Sequence, residues 1–548
     1  MKYVGIYSSL ILTGSMLLLT GCTDDKYDLS DIDTTTAIKL NNLVVPVNLE
    51  SIYLDQVFKI DDDDPSNPLM VFTDNSGKRM FAIKIEGDFS ADPVYLNELE
   101  AKSYASISSL PLTTNGNNIN PGEVSYQYNI GAGEVDNSIE RIYRMGLSKP
   151  MAINLEMNYA NSNSIPEISN LVLIIPESFT ATYHGSEFSN GEVPVTMVNG
   201  ALDEPIYVYA LDFGNGVEPT GSEGNKSLVF EGKLGIKSGM VSSTSSGLTA
   251  NFSMSPFTAD QISGAINYGI EAPEFEEVSL EGLPDFLREG DSKLIISNPQ
   301  IYLNFGNQTG AQFFSQLNIN PMGNGGNAVS IPMEPFVQSL ILAANVNDLA
   351  LRNDFPDAIL QQDNTGGLQN VLYGEGLPER IDFSLTDTYL RGDVLNLSLG
   401  AEYQIYGNYA FFTPLAFEAS SQIIYQDKET DFFGDDMEAV NVTQLQLSAY
   451  PTTNLPFEVE LTVYPLDKDG NHIKDQNGNV VMASGIVEAN ANGSRLLDIN
   501  LNQPFTGLDG VEYRVSAVVM NNESLSPDQF IKLDNIRARV TGEYVTKL

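Results

Sequence analysis

The sequence predicts an all-β protein made of two or three tandem, antiparallel β-sandwich-like modules in an elongated arrangement. Three observations support this fold class: apolar residues alternate with polar ones, turn residues separate the alternating runs, and no long segment has helical periodicity. Alternation with a period of two places one face of a strand in a core and the other in solvent. The chain also contains 45 glycines and 27 prolines, which occupy the turns of sandwiches.

The strand signal recurs along the chain. The segments that predict strands either alternate apolar with polar residues or are short apolar runs punctuated by proline: residues 171–175, 293–296, 395–399, 457–463, 511–519 and 536–540. Short helices are expected only near Thr258–Ile262, where Thr258 can cap, and near Pro284–Leu287. Helices are therefore a minor component.

The length of 548 residues exceeds what one hydrophobic core usually supports, which favours several domains. Glycine-rich segments at 212–226 and 318–327 suggest where modules meet. The predicted division is a signal peptide at 1–21, an acidic tether at 22–40, a β-rich module at 41–215, a β-rich module or insertion at 216–320, and one or more C-terminal β-sandwich modules at 321–548.

A faint internal repeat links two parts of the chain. Residues 301–307 lead through an Asn-bearing turn into residues 313–319, and residues 445–447 lead through Asn454 into residues 457–463. Two related sandwich modules would explain this repeat, and so would any pair of β-hairpins.

Charge limits the choice of partners. The chain has 28 basic and 72 acidic residues, a net charge of −44. A surface this acidic repels phosphate backbones and anionic bilayers, so nucleic acid is not expected as a partner. Tryptophan, a frequent platform for sugar rings, is absent, which lowers the expectation of glycan binding. The 25 tyrosines can take the same role.

The N-terminus has the features of a secretory signal. Lys2 is followed by the apolar stretch 4–19, which is too short for a comfortable membrane span. It ends in Leu19-Thr20-Gly21-Cys22, which resembles the lipobox of bacterial lipoproteins. That resemblance implies cleavage between Gly21 and Cys22 and attachment of fatty-acyl chains, such as palmitate, to Cys22. Two or more such chains anchor a protein stably in a membrane.

The residues after Cys22 indicate where in the cell the protein is located. Asp24 and Asp25 begin an acidic cluster that resembles the surface-export signal of Bacteroidota lipoproteins. The opening through Val47 and the carboxyl half are also similar to a group of uncharacterised lipoproteins from those bacteria. The resemblance implies a lipid-anchored protein of the outer membrane that faces the cell exterior, and it implies no catalytic mechanism. A solvated acidic linker is the alternative interpretation.

Few residues offer catalytic chemistry. The two histidines, His184 and His472, are interpreted as surface or turn residues, and the sole cysteine, Cys22, is assigned to the lipid. Residues 221–227 superficially resemble a phosphate loop but lack the Gly-Lys-Ser/Thr sequence. The integrin-type tripeptide Arg391-Gly392-Asp393 is interpreted as a hairpin turn and a chance match. No catalytic residue is assigned.

One cluster could suit calcium, because it places several oxygen ligands near a glycine. Its residues are Asp467, Asp469, Asn471 and Asp475. The same region contains Asp469-Gly470 and Asn477-Gly478, which are favoured dipeptides of hairpin turns. Turn chemistry explains these residues without a metal, so no metal and no other cofactor is expected.

The favoured function is therefore non-enzymatic binding or structural support at the cell envelope, with the membrane as one partner and a glycan or a protein as a possible ligand. Two alternatives remain: a polysaccharide hydrolase with paired carboxylates, and a binder of apolar ligands. A hydrolase predicts two facing acids in a tyrosine-lined cleft. A glycan binder predicts exposed, coplanar tyrosines on one face, and a lipid binder predicts a large apolar cavity.

Overall fold

The computed structural model describes residues 35–47, 52–58, 60, 67–74, 76–160, 166–242, 247–280, 282–289, 291–430 and 440–547. The predicted signal peptide, Cys22, Asp24 and Asp25 lie outside the described residues. Within these ranges the chain forms 41 strands and four short helices. None of these helices is long and apolar enough to cross a membrane.

The first part of the chain contains β1 (Thr35–Val47), β2 (Ile52–Tyr53), α1 (Leu54–Val57), β3 (Leu69–Thr73), β4 (Arg79–Tyr95), β5 (Leu99–Ala101), β6 (Ser106–Ile107), β7 (Leu110–Pro111), β8 (Thr114–Asn115), β9 (Asn118–Ile119), β10 (Gly122–Ile130), β11 (Ile139–Tyr159), β12 (Ile168–Ile174), β13 (Phe179–Tyr183), β14 (Ser186–Phe188), β15 (Glu192–Val195), β16 (Met197–Val198), β17 (Ala201–Leu202), β18 (Ile206–Val217), β19 (Leu228–Val241), β20 (Leu248–Met254) and β21 (Phe257–Gly269).

The middle part contains β22 (Glu274–Phe275), β23 (Val278–Ser279), α2 (Asp285–Arg288), β24 (Lys293–Ile295), β25 (Gln300–Asn307), β26 (Gln312–Met322), β27 (Val329–Pro332), β28 (Ser339–Ala343), α3 (Leu351–Asp354), β29 (Ile359–Gln362), α4 (Gly367–Val371), β30 (Tyr373–Glu375), β31 (Arg380–Ser398), β32 (Glu402–Pro414) and β33 (Ala416–Phe417). The last part contains β34 (Gln422–Glu429), β35 (Val440–Thr453), β36 (Glu458–Leu466), β37 (Ala483–Val487), β38 (Leu497–Leu501), β39 (Gly510–Val518), β40 (Glu523–Ser524) and β41 (Phe530–Lys547).

The prediction of an all-β fold with several modules is confirmed. In the first sandwich, the sheet β15-β12-β19-β10-β6 packs on a layer that includes β11, β18, β20 and β21. Tyr128 of β10 is fully buried and its ring lies 5.1 Å from that of Phe257 in β21. The alternating strands thus supply apolar side chains from both layers to one core.

The middle sandwich shares a sheet with the first. One layer contains β25, β28, β32 and β4, and the other contains β26 and β31. Strand β21 pairs with β11 on one side and with β31 on the other, so this layer runs through both sandwiches. Phe305 of β25 stacks on Phe313 of β26 at 3.7 Å and closes the core between the layers.

The last sandwich contains both ends of the described chain. The sheet β1-β41-β35-β38 faces the sheet β30-β24-β34-β39-β36-β37. A side chain on Gly485 of β37 would fall against Leu497 and Ile499 of β38, which shows how closely the two sheets pack. Strand β1 pairs with β41 from Thr35 to Val47, so the predicted tether is strand from residue 35 onward.

The internal repeat corresponds to a repeated structure. Strand β25 pairs with β28 and β32, whereas β26 pairs with β27 and β31. Strand β35 likewise pairs with β38 and β41, whereas β36 pairs with β37 and β39. In each repeat the two strands therefore pair with different partners, lie in opposite layers and do not form a hairpin, which favours two related sandwich modules.

Two local predictions need correction. The helix expected at Thr258–Ile262 is wrong, since these residues belong to β21, although α2 does form at the second predicted helix. Arg391–Asp393 lies inside β31, paired with β21, because long-range pairing overrides the local turn signal. Residues 215 and 320, where two predicted modules end, lie in β18 and β26, and the division into modules stays a prediction.

Candidate functional site

An open groove with a volume of about 460 Å³ lies on the outer face of the middle sandwich. We call it the Tyr406 groove. Its floor is formed by the neighbouring strands β28, β25 and β32, and its wall follows α3. The residues that line it are Tyr302, Asn304, Phe305, Gly306, Asn307, Gln308, Gln338, Ser339, Asp354, Phe355, Pro356, Asp357, Ala358 and Tyr406.

The register of the floor strands places an aromatic ring on a glycine. Gly306 of β25 lies opposite Tyr406 of β32, and Asn304 lies opposite Asn408. Residues that pair across an antiparallel ladder project from the same face. A Cβ atom on Gly306 would collide with Cε2 and Cζ of Tyr406, so the ring lies over the glycine. Tyr406 remains 55% exposed and offers the groove a flat apolar surface.

The wall is fixed by a second aromatic pair. Phe355 stacks on Tyr302 with ring centroids 3.5 Å apart and planes inclined by 4°. Tyr302 is buried, and burial raises the pKa of its hydroxyl. Arg352 Nη1 donates a 2.7 Å hydrogen bond to the carbonyl oxygen of Ala358 and so joins the two ends of the wall segment. These contacts hold the wall against a small separate core on the outer face.

Polar contacts anchor the same wall to the sheet. The buried Gln300 accepts a 3.2 Å hydrogen bond from the amide of Leu351. Lys84 Nζ lies 3.1 Å from Asp354 Oδ2 and 2.9 Å from Glu86 Oε1. Burial acts to lower the pKa of Lys84, but its hydrogen bonds to the two carboxylates outweigh burial and raise the pKa above its ordinary value.

The chemistry of the Tyr406 groove suits binding better than hydrolysis. Asp354 and Asp357 lie on the same wall, and both are exposed. A glycosidase needs two carboxylates that flank the scissile bond, and its acid needs a raised pKa that burial commonly provides. The remaining lining residues include the amide of Gln338 and the hydroxyl of Ser339. These groups donate and accept hydrogen bonds without supplying a second catalytic acid.

His184 occupies the tip of the β13–β14 hairpin, with a φ of 51°. Its Nε2 lies 3.0 Å from Asp203 Oδ2 and its Nδ1 lies 3.4 Å from Glu204 Oε1. The hydroxyl of Tyr183 donates to Asp203 Oδ1, and this bond, followed by the contact with His184, lowers the pKa of Asp203. A general base needs a ring nitrogen directed at its nucleophile, whereas both nitrogens of His184 face carboxylates.

His472 lies in the loop that follows β36. Its ring stacks on Tyr464 at 4.7 Å, and its Nε2 lies 3.1 Å from Glu512 Oε1, an ion-pair distance without hydrogen-bond geometry. The side chain of Glu512 is 12% exposed. The histidine thus covers a nearly buried carboxylate, which gives it a structural role in the turn.

The residues predicted as calcium candidates form turns that share one pattern of hydrogen bonds. Asp467 Oδ1 accepts hydrogen bonds from the amides of Asp469 at 3.0 Å and Asn471 at 2.8 Å. Asp475 Oδ1 accepts from the amides two and four residues later, at 2.9 and 2.8 Å. Asp74 does the same at 2.9 and 2.8 Å. Each aspartate therefore satisfies two backbone donors of its own hairpin loop.

These hydrogen bonds explain the presence of the aspartates in the turns, and the explanation needs no bound cation. The loop of Asp74 carries Lys78 where the loop of Asp467 carries Asn471, and an ammonium group is a poor neighbour for calcium. The bond from the Asn471 amide is the largest effect that lowers the pKa of Asp467 from its ordinary value of 3.8. Because the pKa of Asp467 is lower in the folded state than in the unfolded state, its carboxylate stabilises the fold at pH values above the ordinary pKa of 3.8. This stabilisation is lost as the pH falls through the folded-state pKa.

Replacing Asp467 with alanine is expected to lower the melting temperature at pH 7 by roughly 2 °C, because two backbone amides lose their acceptor. Asp467→Asn keeps an acceptor oxygen without the charge and should stay closer to the parent. Thermal melts are then compared in calcium and in chelator. The exchange of calcium for chelator should leave the melting temperatures of the parent and of both variants unchanged. A calcium-dependent rise of several degrees in the parent alone would instead show a metal site.

Sequence reasoning missed the Tyr406 groove. The prediction of exposed tyrosines named no position, and the contact between Tyr406 and Gly306 depends on the register of strands far apart in the chain. The local signal is a glycine in each strand, Gly306 and Gly407, where interior glycine marks a close approach. That signal alone does not identify the partner.

The fold and the groove define an all-β protein of joined sandwiches with an open polar groove, and known proteins add little to that description. No family model matches the chain, and no curated protein matches it. A candidate secreted protein from Parabacteroides distasonis ATCC 8503 is 14% identical, with a TM-score of 0.31 over 51% of this chain and 89% of that chain. A structure of infectious bursal disease virus, Gx strain, is 8% identical, with a TM-score of 0.09 over 90% of this chain and 84% of the viral chain. Neither score establishes a shared fold.

Proposed function

We propose that the protein is a lipid-anchored glycan-binding protein of the outer membrane that faces the cell exterior and has no catalytic role. The observation that carries the glycan assignment is the Tyr406 ring, which lies over Gly306 at the floor of an open, polar groove. A flat apolar ring can cover the hydrogen-bearing face of a sugar, while the rim of the ring stays hydrated.

The rest of the Tyr406 groove supports this assignment. Amide and hydroxyl groups from Asn304, Gln338 and Ser339 line the same groove as the ring, together with the carboxylate of Asp357. Such groups match the alternating donors and acceptors of a polyhydroxylated ligand. The groove is not an enclosed apolar cavity, so it supports the proposal better than it would support binding of a lipid.

The location rests on the N-terminal sequence. The lipobox ending in Cys22 supports acylation, and the acidic pair Asp24 and Asp25 supports export to the outer face. The net charge of −44 disfavours attachment through anionic headgroups, so acyl chains are the suitable anchor. Surface exposure would bring the groove within reach of extracellular polysaccharides.

The test is binding of the full-length lipoprotein, in detergent, to a panel of neutral polysaccharides. We expect Tyr406→Ala to weaken binding about tenfold, since loss of an aromatic contact costs on the order of 1 kcal/mol. Gly306→Ala should also weaken binding, because the new Cβ displaces the ring without removing it. The circular dichroism spectra should match the parent's.

The matched control is Tyr450→Ala. Tyr450 lies in β35 of the last sandwich and is 37% exposed, so its loss should leave binding unchanged. Equal binding by the parent and by Tyr406→Ala across the panel would reject the groove as the site. Failure of the parent to bind any neutral glycan would reject the proposed function.

A further inference from the structure

A second open groove lies where the first and middle sandwiches meet. We call it the Tyr95 groove, and its volume is about 470 Å³. It forms between the end of β4, the turn before β32 and the loop before β11. Its lining residues are Tyr95, Asn97, Glu98, Glu100, Gly133, Glu134, Asp136 and Gly400. Like the Tyr406 groove, it combines one exposed tyrosine with amide and carboxylate groups.

The two tyrosines lie on the same outer face. Strand β32 pairs with β4 so that Glu402 lies opposite Tyr95 and Tyr406 lies opposite Ser90. An irregularity in β4 near Ala91 absorbs the difference in residue number. Four residues of β32 separate the two positions, which corresponds to roughly 13 Å along the strand. Tyr95 is 44% exposed and Tyr406 is 55% exposed.

The surface between the grooves is open and polar. Glu402, which lies opposite Tyr95, and Gln404 are exposed on β32, and Asn408 is exposed beyond Tyr406. Glu100 and Glu134 of the Tyr95 groove form ion pairs with Lys102, whose Nζ lies 2.5 Å from Glu134 and 3.8 Å from Glu100. The groove itself is lined by four carboxylates and no cationic side chain. A polyanionic ligand would meet unfavourable charge at both grooves, whereas hydroxyl groups could hydrogen-bond to the same carboxylates.

We propose that the Tyr95 and Tyr406 grooves are two subsites for one extended, uncharged glycan chain that runs along β32. This inference rests on the proposed function and adds its substrate class: a neutral polysaccharide, recognised over several sugar units, instead of a single sugar or an acidic polymer. Each tyrosine contacts a different sugar ring of the same chain. Once the first subsite is filled, the second binds its part of the chain at a high effective concentration.

The experiment measures affinity of the full-length lipoprotein for oligosaccharides, from disaccharide to octasaccharide, of the neutral polysaccharide that it binds best. We expect affinity to rise with chain length. Tyr95→Ala should weaken octasaccharide binding about tenfold and leave disaccharide binding at the Tyr406 groove unchanged. Tyr95→Phe keeps the ring and should bind like the parent. Asn97→Ala, a second variant of the same groove, should also act only on the longer chains.

The outcomes separate this inference from the proposed function. If Tyr406→Ala weakens octasaccharide binding but Tyr95→Ala and Asn97→Ala do not, the Tyr95 groove is not a subsite and the glycan-binding function stands. If none of the three variants affects any glycan, both proposals fail. Tighter binding of a uronic acid polymer than of the neutral polymer would overturn the assigned substrate class.

Discussion

Replacing Phe305 with alanine is expected to destabilise the middle sandwich by about 3–5 kcal/mol, the range for loss of a large buried aromatic side chain. Phe305 is 1% exposed. Its ring lies 3.7 Å from that of Phe313 and 4.7 Å from that of Phe89, and Phe336 meets it edge-on at 5.9 Å. Because these residues come from both layers, the substitution leaves a cavity at the centre of the core.

The measurement is chemical unfolding of the full chain, and Phe314→Ala is the matched control. Phe314 follows Phe313 in β26, but it is only partly buried and stacks on Tyr389 at 4.9 Å. The same substitution there should cost much less. Similar losses from the two variants would show that the Phe305 cluster does not form the core between the layers. Glycan binding should also weaken in Phe305→Ala, since Asn304 and Gly306 flank it in the floor of the Tyr406 groove.

The fold class was predictable because it depends on local pattern. Residues 457–463 and 511–519 alternate, and they form β36 and β39. The architecture was not predictable from the sequence, because strand pairing is non-local. Strand β11 alone pairs with β17, β18, β20 and β21. Strand β21 also pairs with β31, and that pairing joins the first sandwich to the middle one. A boundary placed at a glycine-rich segment cannot detect pairing of this kind.

The candidate site residues divide in the same way. The turns at Asp467 and Asp475 were predictable, since an aspartate and the amides two and four residues later lie in one short segment. The Tyr406 groove was not predictable, because three separate parts of the chain form it: the ring of Tyr406 in β32, Gly306 in β25 and the segment that follows α3. Composition even argued against a glycan site, through the absence of tryptophan. In the proposed site, the exposed Tyr406 would supply the flat ring.

The pairing of β1 with β41 also bears on the proposed anchor. Strand β1 begins at Thr35, so 12 residues separate it from Cys22, and even a fully extended segment would reach roughly 45 Å. The proposed anchor would therefore attach to the last sandwich, which holds β1. The Tyr406 and Tyr95 grooves are lined by residues of the other two sandwiches.

Replacing Cys22 with serine is expected to abolish fatty-acid labelling and to move the protein from the membrane fraction to the soluble fraction. The reason is chemical: the thioether to the lipid forms at sulfur, and without acyl chains the acidic protein has no attraction to an anionic bilayer. Labelling with a fatty acid, followed by fractionation of the cells, measures both effects. Thr23→Ser, one residue beyond the lipobox, is the control and should be labelled and retained like the parent. Unchanged labelling of Cys22→Ser would reject the lipid anchor, whereas lost labelling with full retention would show that a second contact holds the protein at the membrane.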